Sequence, residues 1–404
     1  MKLPLHRWFR YSAGFSSEWA VDVLKEYGER GKSVILDPFA GSGTTLLAAE
    51  QAGFKSYGFE SHPFVYRAAH AKLFWHSDVK SFLNKTELLL SLASKSIEPL
   101  PDNNAPLLVK CYTRETLQRL FSLRTAYANL KKDGESECEL LWLAITSIIR
   151  SCSFVGTAQW QYVLPNKRKL SAKDPFMAFK QKVLEMASDM RFAQNNGFTK
   201  DAEILQFDSR CENNSLKNTI DLVITSPPYP NNYDYADATR LEMTFWGEIN
   251  GWGDLHNSVR QYIICSCSQH SAYEKLKLDD LLDDDVILPI RSELEATCRE
   301  LETVRETKGG RKTYHTMIAA YFNDHARVFI SLRKMCKKGS KLCYVVGDSA
   351  PYGVYVPAEQ WLGQLAVASG FESFAFDKIR DRNIKWKNRK HRVPLHEGRL
   401  WIMG

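Results

Sequence analysis

Apolar positions fall in two rhythms along this chain. Short, nearly unbroken apolar runs bounded by Gly, Pro or Asp occur at 33–37 (SVILD), 54–60 (FKSYGFE), 203–208 (EILQFD), 221–225 (DLVIT) and 341–346 (KLCYVV), and they read as buried strands. Between them lie stretches with apolar residues three and four apart: LLAAEQAG after residue 45, HPFVYRAAHAKLFW from 62, ATRLEMTFWG from 238, SELEATCRELETVRE from 292 and TYHTMIAAYFNDHARVFISLRKMC from 313. Each predicts a helix. A strand, a Gly-rich turn, a helix and a second strand ending in an acid make the opening half of a doubly wound α/β unit, so the expected fold is α/β, Rossmann-like, with a mostly parallel sheet.

The spans between strands divide the chain. Residues 1–79 hold the N-terminal segment and the first half of the α/β core. From 80 to 200 the pattern is helical, with CYTRETLQRLFSLRTAYANL at 111–130, ELLWLAITSIIRSC at 139–152 and a polar linker, ASKSIEPLPDNNAP, at 93–106; this reads as a large helical insertion. Residues 201–404 supply the second half of the core, with a further insertion at 250–311 carrying the acidic run Asp279–Asp285. The patch Lys167-Arg168-Lys169 reads as a solvated loop. The C-terminal segment 375–394 concentrates Lys378, Arg380, Arg382, Lys385, Lys387, Arg389, Lys390 and Arg392 against only Asp377 and Asp381, with Trp386 in its middle. Such a block suits a phosphate backbone, although an exposed basic hairpin would have the same composition.

Charge and cysteine usage narrow the class. The net charge is +7, a mild lean toward polyanions. No run of 18 apolar residues occurs, and Lys2, His6 and Trp8 interrupt the start where a signal peptide needs an apolar stretch, so neither membrane spanning nor secretion is expected. Nine cysteines, an odd number without a CxxC pair, read as a reduced intracellular protein. Cys265 and Cys267, with His270 alone nearby, are too little for zinc, and no metal is expected.

The turn after the first strand, Asp37-Pro38-Phe39-Ala40-Gly41-Ser42-Gly43-Thr44-Thr45, lacks the lysine of a nucleotide-triphosphate loop. It also lacks the third glycine of the dinucleotide fingerprint, where Leu46 stands. What remains is Asp37 at one strand tip, Gly41 and Gly43 in the turn, and Glu60 at the second tip. A carboxylate at the second tip suits a ribose diol, and an acid at the first suits a charged amino group. A ligand with both ends is S-adenosylmethionine. The competing reading makes Asp37 a helix cap and Glu60 a solvated strand end.

DPFAGSGTT at 37–45 resembles the cofactor motif of the amino-group DNA methyltransferases, and TSPPY at 225–229 resembles their catalytic motif. GFESHP at 58–63 and Phe207-Asp208 are similar to the second and third cofactor motifs, and HRWFRYSAGFSSEWA at 6–20 to the N-terminal segment that closes the methionine end. The resemblance covers 6–70, 203–245 and 312–350. It implies a class I methyltransferase fold, S-adenosylmethionine as cofactor, and Asp37, Phe39, Gly41, Gly43, Thr44, Glu60, Asp208, Phe15 and Ser16 as its contacts, with Asp208 facing the adenine amino group. It further implies double-stranded DNA as substrate, a cognate restriction endonuclease as genetic partner, and a cytoplasmic, nucleoid-associated setting in a prokaryote. The helical span 80–200 is then the candidate for reading the target sequence, helped by the basic segment.

Ser226, Pro227, Pro228 and Tyr229 carry the chemistry. They follow a buried strand, at the edge where open α/β sheets bind ligands. Two prolines remove two N–H donors and stiffen the backbone. The Ser226 hydroxyl oxygen and the Pro227 carbonyl then accept from an exocyclic NH2, which directs its lone pair at a methyl carbon, while Tyr229 offers a stacking face for an extruded base. No covalent nucleophile is needed, and no Pro-Cys occurs, which disfavours cytosine C5 chemistry. Family members of the cytosine-N4 type mostly carry Ser at the first position, those of the adenine-N6 type Asp or Asn, so Ser226 points to cytosine N4. An adenine-N6 enzyme, an RNA amine methyltransferase and an inactive nucleic-acid-binding relative stay open as alternatives.

Overall fold

The computed structural model describes residues 3–9, 11, 15–95, 105–132, 134–157, 163–168, 171–231, 233–310, 312–382 and 393–404. Among them nine strands form: β1 (Val34–Asp37), β2 (Lys55–Phe59), β3 (Val155–Thr157), β4 (Val163–Arg168), β5 (Ala202–Leu205), β6 (Ile220–Thr225), β7 (Cys336–Gly347), β8 (Ser373–Arg382) and β9 (Leu395–Met403). Strands β3 and β4 are a separate antiparallel pair, and the other seven make one sheet in the order β5-β2-β1-β6-β7-β9-β8. The first five run parallel, and β9 runs antiparallel to both neighbours. This is the expected α/β, Rossmann-like methyltransferase fold.

Period-two alternation splits the sheet's side chains between two layers. Ile35, Leu222 and Ile224 pack into a core with Ala20, Leu24, Ala48 and Ala49 of the helices Ser17–Tyr27 and Thr44–Ala52. Leu36, Val223 and Leu342 point the other way, onto Phe322 and Phe329 of the helix Tyr314–Met335 and Leu362 of Ala358–Ala368. Being covered on both faces is what makes these strands read as continuous apolar runs.

The helices between β2 and β5 include Val79–Lys95, Arg114–Leu130, Ser136–Cys152 and Pro175–Asn195. Two of them start at side-chain caps: Thr113 Oγ1 accepts from Thr116 N at 3.2 Å, and Asp174 Oδ1 from Met177 N at 3.0 Å, with Pro175 in the first turn. Caps of this kind contribute about 1 kcal/mol each. The block shares one core, around the fully buried Trp142, with Leu5, Trp8, Leu46 and Phe64. It is therefore packed against the cofactor-side half of the protein.

The structure departs from the sequence expectation in three places. Lys167 and Arg168, expected in a loop, end strand β4. The strand at 203–208 stops at Leu205, because Asp208 turns to accept from Arg210 and Ser209 donates back to the Pro38 carbonyl. The basic C-terminal segment is a hairpin built into the sheet. Leu400 and Ile402 of β9 are fully buried between β7 and β8, while β8 is a charged, exposed edge strand, the arrangement that discourages edge-to-edge association. Lys385, Lys387, Arg389, Lys390 and Arg392 lie outside the described residues, as do much of the 93–106 linker and Lys169. Eight of the nine cysteines are buried, and Cys211 is exposed. Among the described residues no helix is long and apolar enough to cross a membrane.

Candidate functional site

Strands β1 and β6 are hydrogen-bonded neighbours, Ile35 opposite Leu222 and Leu36 opposite Val223. They run parallel, so the turn after Asp37 and the tetrapeptide after Thr225 leave the sheet at the same edge, side by side. Asp37 ties the two together. Its carboxylate, 2% exposed, accepts from Phe39 N at 3.0 Å, from Thr45 Oγ1 at 2.5 Å and from Thr225 Oγ1 at 2.6 Å. Burial pushes its pKa up to about 6, against the pull of these three donors.

Glu60, one strand over, accepts from Gly41 N through Oε2 and from His62 N through Oε1, both at 2.8 Å. Burial raises its pKa to about 8. Gly41 takes φ +52°, a left-handed conformation that aims its N–H at Glu60 and keeps the turn free of a side chain beside the Tyr11 ring. Below the turn, the fully buried Lys72 donates to the Ser42 carbonyl at 2.9 Å, and burial lowers its pKa to about 7.

Two cavities open at this edge. The narrower one is walled by Tyr11, Phe39, Gly41 and Glu60 on one side and by Pro228, Ile263 and Ile264 on the other. The larger, about 490 Å³, is walled by Phe15, Trp19, Tyr229 and Tyr233, with Arg380 and Glu397 of the β8–β9 hairpin. Ser226 and Tyr235 line both. The Tyr229 ring lies under the Arg382 guanidinium, 5.2 Å from its centroid, and burial raises its hydroxyl pKa, opposed by a hydrogen bond with Ser226.

The structure thus brings Phe39, Gly41, Glu60, Ser226 and Pro228 to one cavity, and Phe15, Ser16, Ser226, Tyr229 and Arg380 to the other. Asp37, Gly43, Thr44 and Pro227 stand behind the walls, and Asp37 spends its oxygens on the turn itself. Asp208 is held by the Arg210 guanidinium at 2.8–3.0 Å, and Arg210 bridges on to Asp324. Of the described basic residues, Lys378 pairs with Asp381 and Arg380 with Glu397, while Arg382 turns inward to donate to the Asp348 carbonyl at 2.6 Å. Gly347 permits that crossing, since a Cβ there would meet Arg382 at 2.7 Å.

Tyr11, His62, Trp19, Lys72 and Glu397 were not legible as site residues. His62 links the two motifs, its Nε2 3.0 Å from Thr239 Oγ1 beyond the tetrapeptide. The usable signals were the positions of His62 inside GFESHP and of Tyr11 and Trp19 inside the segment 6–20, whereas Lys72 and Glu397 depend on contacts far apart in the chain. Asp234, just beyond the tetrapeptide, is buried in an ion pair with Arg260.

The narrower cavity, about 60 Å³, carries groups of the kind S-adenosylmethionine would contact. Glu60 keeps acceptor positions beyond its two backbone donors, Gly41 allows close approach, and Phe39, Ile263 and Ile264 supply apolar faces. A family model described as "DNA methylase" matches residues 7–71, the stretch holding the turn and Glu60. The chain is similar over nearly its whole length to the type II methyltransferase M.BsoBI of Geobacillus stearothermophilus, with 24% identity over 94% of this chain and 81% of the relative. It is likewise similar to the type II methyltransferase M.AvaI of a Nostoc species and of Anabaena variabilis, with 26% identity in each case over 91% of this chain and 79% of the relative. With a parallel sheet carrying both motifs at one edge, the chain resembles the amino-group DNA methyltransferases, whose methyl donor is S-adenosylmethionine.

Proposed function

We propose that this protein methylates the exocyclic N4 of cytosine within a specific double-stranded DNA sequence, as the modification enzyme of a restriction system. One observation carries the reading: Ser226 lines both the narrow cavity and the large aromatic one. A group held in the first and a base held in the second meet at its hydroxyl. The type II relatives support the restriction-system setting.

S-adenosylmethionine supplies a sulfonium-activated methyl group; everything else is positioning by the chain's own residues. Phe39, Gly41 and Glu60 hold the adenosine end, with Phe15 and Ser16 near the opposite side. Ser226 Oγ and the Pro227 carbonyl accept from the target amine and keep its lone pair out of ring conjugation. The Tyr229 ring, buried and braced by Arg382, holds the extruded base flat. Alignment of this kind lowers the entropic part of the barrier.

The helical span 80–200 is the part we assign to target reading. Its helices brace the segment after the tetrapeptide: Arg150 pairs with Glu242 at 2.5 Å, and Arg124 donates to the Phe245 carbonyl at 2.6 Å. The experiment is incubation with labelled methyl donor and plasmid DNA, followed by nucleoside mass spectrometry and methylation-aware sequencing. N4-methylcytosine at one recurring sequence is expected. N6-methyladenine, or label in RNA alone, would overturn the assignment.

A further inference from the structure

The larger cavity has five aromatic rings in its wall, and among the described residues its charged members are Arg380 and Glu397. They face each other across the β8–β9 hairpin, Arg380 Nη2 2.8 Å from Glu397 Oε1. Glu397 is 14% exposed, whereas Arg380 stands at the rim, two-thirds exposed. Of the neighbouring cations on the same strand, Arg382 donates to the Asp348 carbonyl and Lys378 pairs with Asp381 away from the wall. A guanidinium held by one carboxylate through one nitrogen keeps further N–H donors in a fixed fork.

We propose that Arg380, oriented by Glu397, donates to the ring edge of the target base and selects cytosine there. This rests on the cytosine reading above. With the amine at Ser226, the rest of a cytosine's edge is N3 and the 2-oxo oxygen, two acceptors in a row. A wall that reads it has to donate, and among the described residues Arg380 is the cation lining that wall. Adenine in the same pose offers N1 and then a carbon-bound hydrogen, so one guanidinium N–H is left unmatched. Polar groups stranded in this way discriminate far more strongly than apolar fit. The β8 arginine is then a base reader, distinct from the phosphate contacts expected of a basic block.

The test begins once sequencing has given the methylated site, and it uses duplexes carrying either cytosine or 2-thiocytosine at the target. Sulfur is a poor acceptor, so wild-type kcat/KM is expected to fall about 10–100-fold on the thio duplex. Arg380→Gln should lose a similar factor on cytosine and lose nothing further on 2-thiocytosine. Arg380→Lys keeps the charge without the fork and should stay impaired, and Glu397→Gln should add no loss to Arg380→Gln. Additive losses, full rescue by Arg380→Lys, or a salt slope of DNA binding reduced by about one with unchanged thio sensitivity would overturn the proposal, since these mark a phosphate contact. Should the mapping step yield N6-methyladenine, the cytosine reading fails first; N4-methylcytosine with additive losses removes only the role of Arg380.

Discussion

The two walls of the site are built on different principles. On the side we assign to the cofactor, the buried Asp37 and the half-buried Glu60 are carboxylates whose partners are backbone N–H groups and hydroxyls within the same few strand ends. On the base side, Arg380, Arg382 and Glu397 sit on an edge hairpin and hold one another through side-chain ion pairs. The first wall is fixed by the sheet whether or not a ligand is present. The second is held by ion pairs whose outer member, Arg380, is two-thirds exposed, and a pair with one exposed partner contributes little to stability. The difference teaches that one wall is set by hydrogen bonds at the strand ends, and the other by side-chain pairs on an edge strand and its neighbour.

Substitutions break the comparison most sharply at the shared wall. Tyr229→Ala and Ser226→Ala are each expected to lower methyl transfer about 10²–10³-fold with cofactor affinity nearly unchanged, as read by labelled transfer and calorimetric titration. Equal loss of cofactor binding would merge the two walls into one. Next is Asp37→Ala, which strands two buried hydroxyls and the Phe39 N–H. A loss of about 2–4 kcal/mol of unfolding free energy is expected in urea melts, against under 1 kcal/mol for Glu397→Gln.

Protonation gives a third contrast. The ionised Glu60 carboxylate is the stronger acceptor for a ribose diol, and its pKa lies near 8. Adenosine affinity should therefore rise with pH, by up to about tenfold per unit below 8, and level off above it. Adenosine serves because it has no group of its own titrating in this range, and Glu60→Gln should flatten the profile. The smallest effect is at Gly41, where alanine must adopt φ +52° for about 1–2 kcal/mol. Its Cβ has room beside Tyr11 at 3.7 Å. Cofactor affinity should fall about tenfold, with base stacking at Tyr229 untouched.

The same contrast explains what could be read from the chain alone. Strands β1, β2 and β6 were legible because burial on both faces writes them as apolar runs, and the turn residues that matter follow them directly. Residues 373–403 were not, because β8 is an edge strand rich in Lys, Arg and Asp, whose charge hides its pairing. The signal in β9 was the spacing of Leu395, Leu400 and Ile402 on buried positions, interrupted by His396 and Glu397. Asp37 was recognised as a site residue from its motif, but its partners Thr45 and Thr225 lie 8 and 188 positions away. A sequence alone does not tell that both hydroxyls reach the same carboxylate. Glu397 belongs to the site only through such a long-range contact.

The cysteine distribution offers a practical handle. A thiol reacts as its thiolate and only where reagent can reach it, so a maleimide dye should attach to the native protein at Cys211 and spare the eight buried thiols. Cys211 sits on the loop that carries Asp208 and closes over Pro38, with its N–H donating to the Asp208 carbonyl at 2.9 Å. A single fluorophore there, installed without mutating any residue, would report optically on the turn that packs against Pro38 behind the first strand.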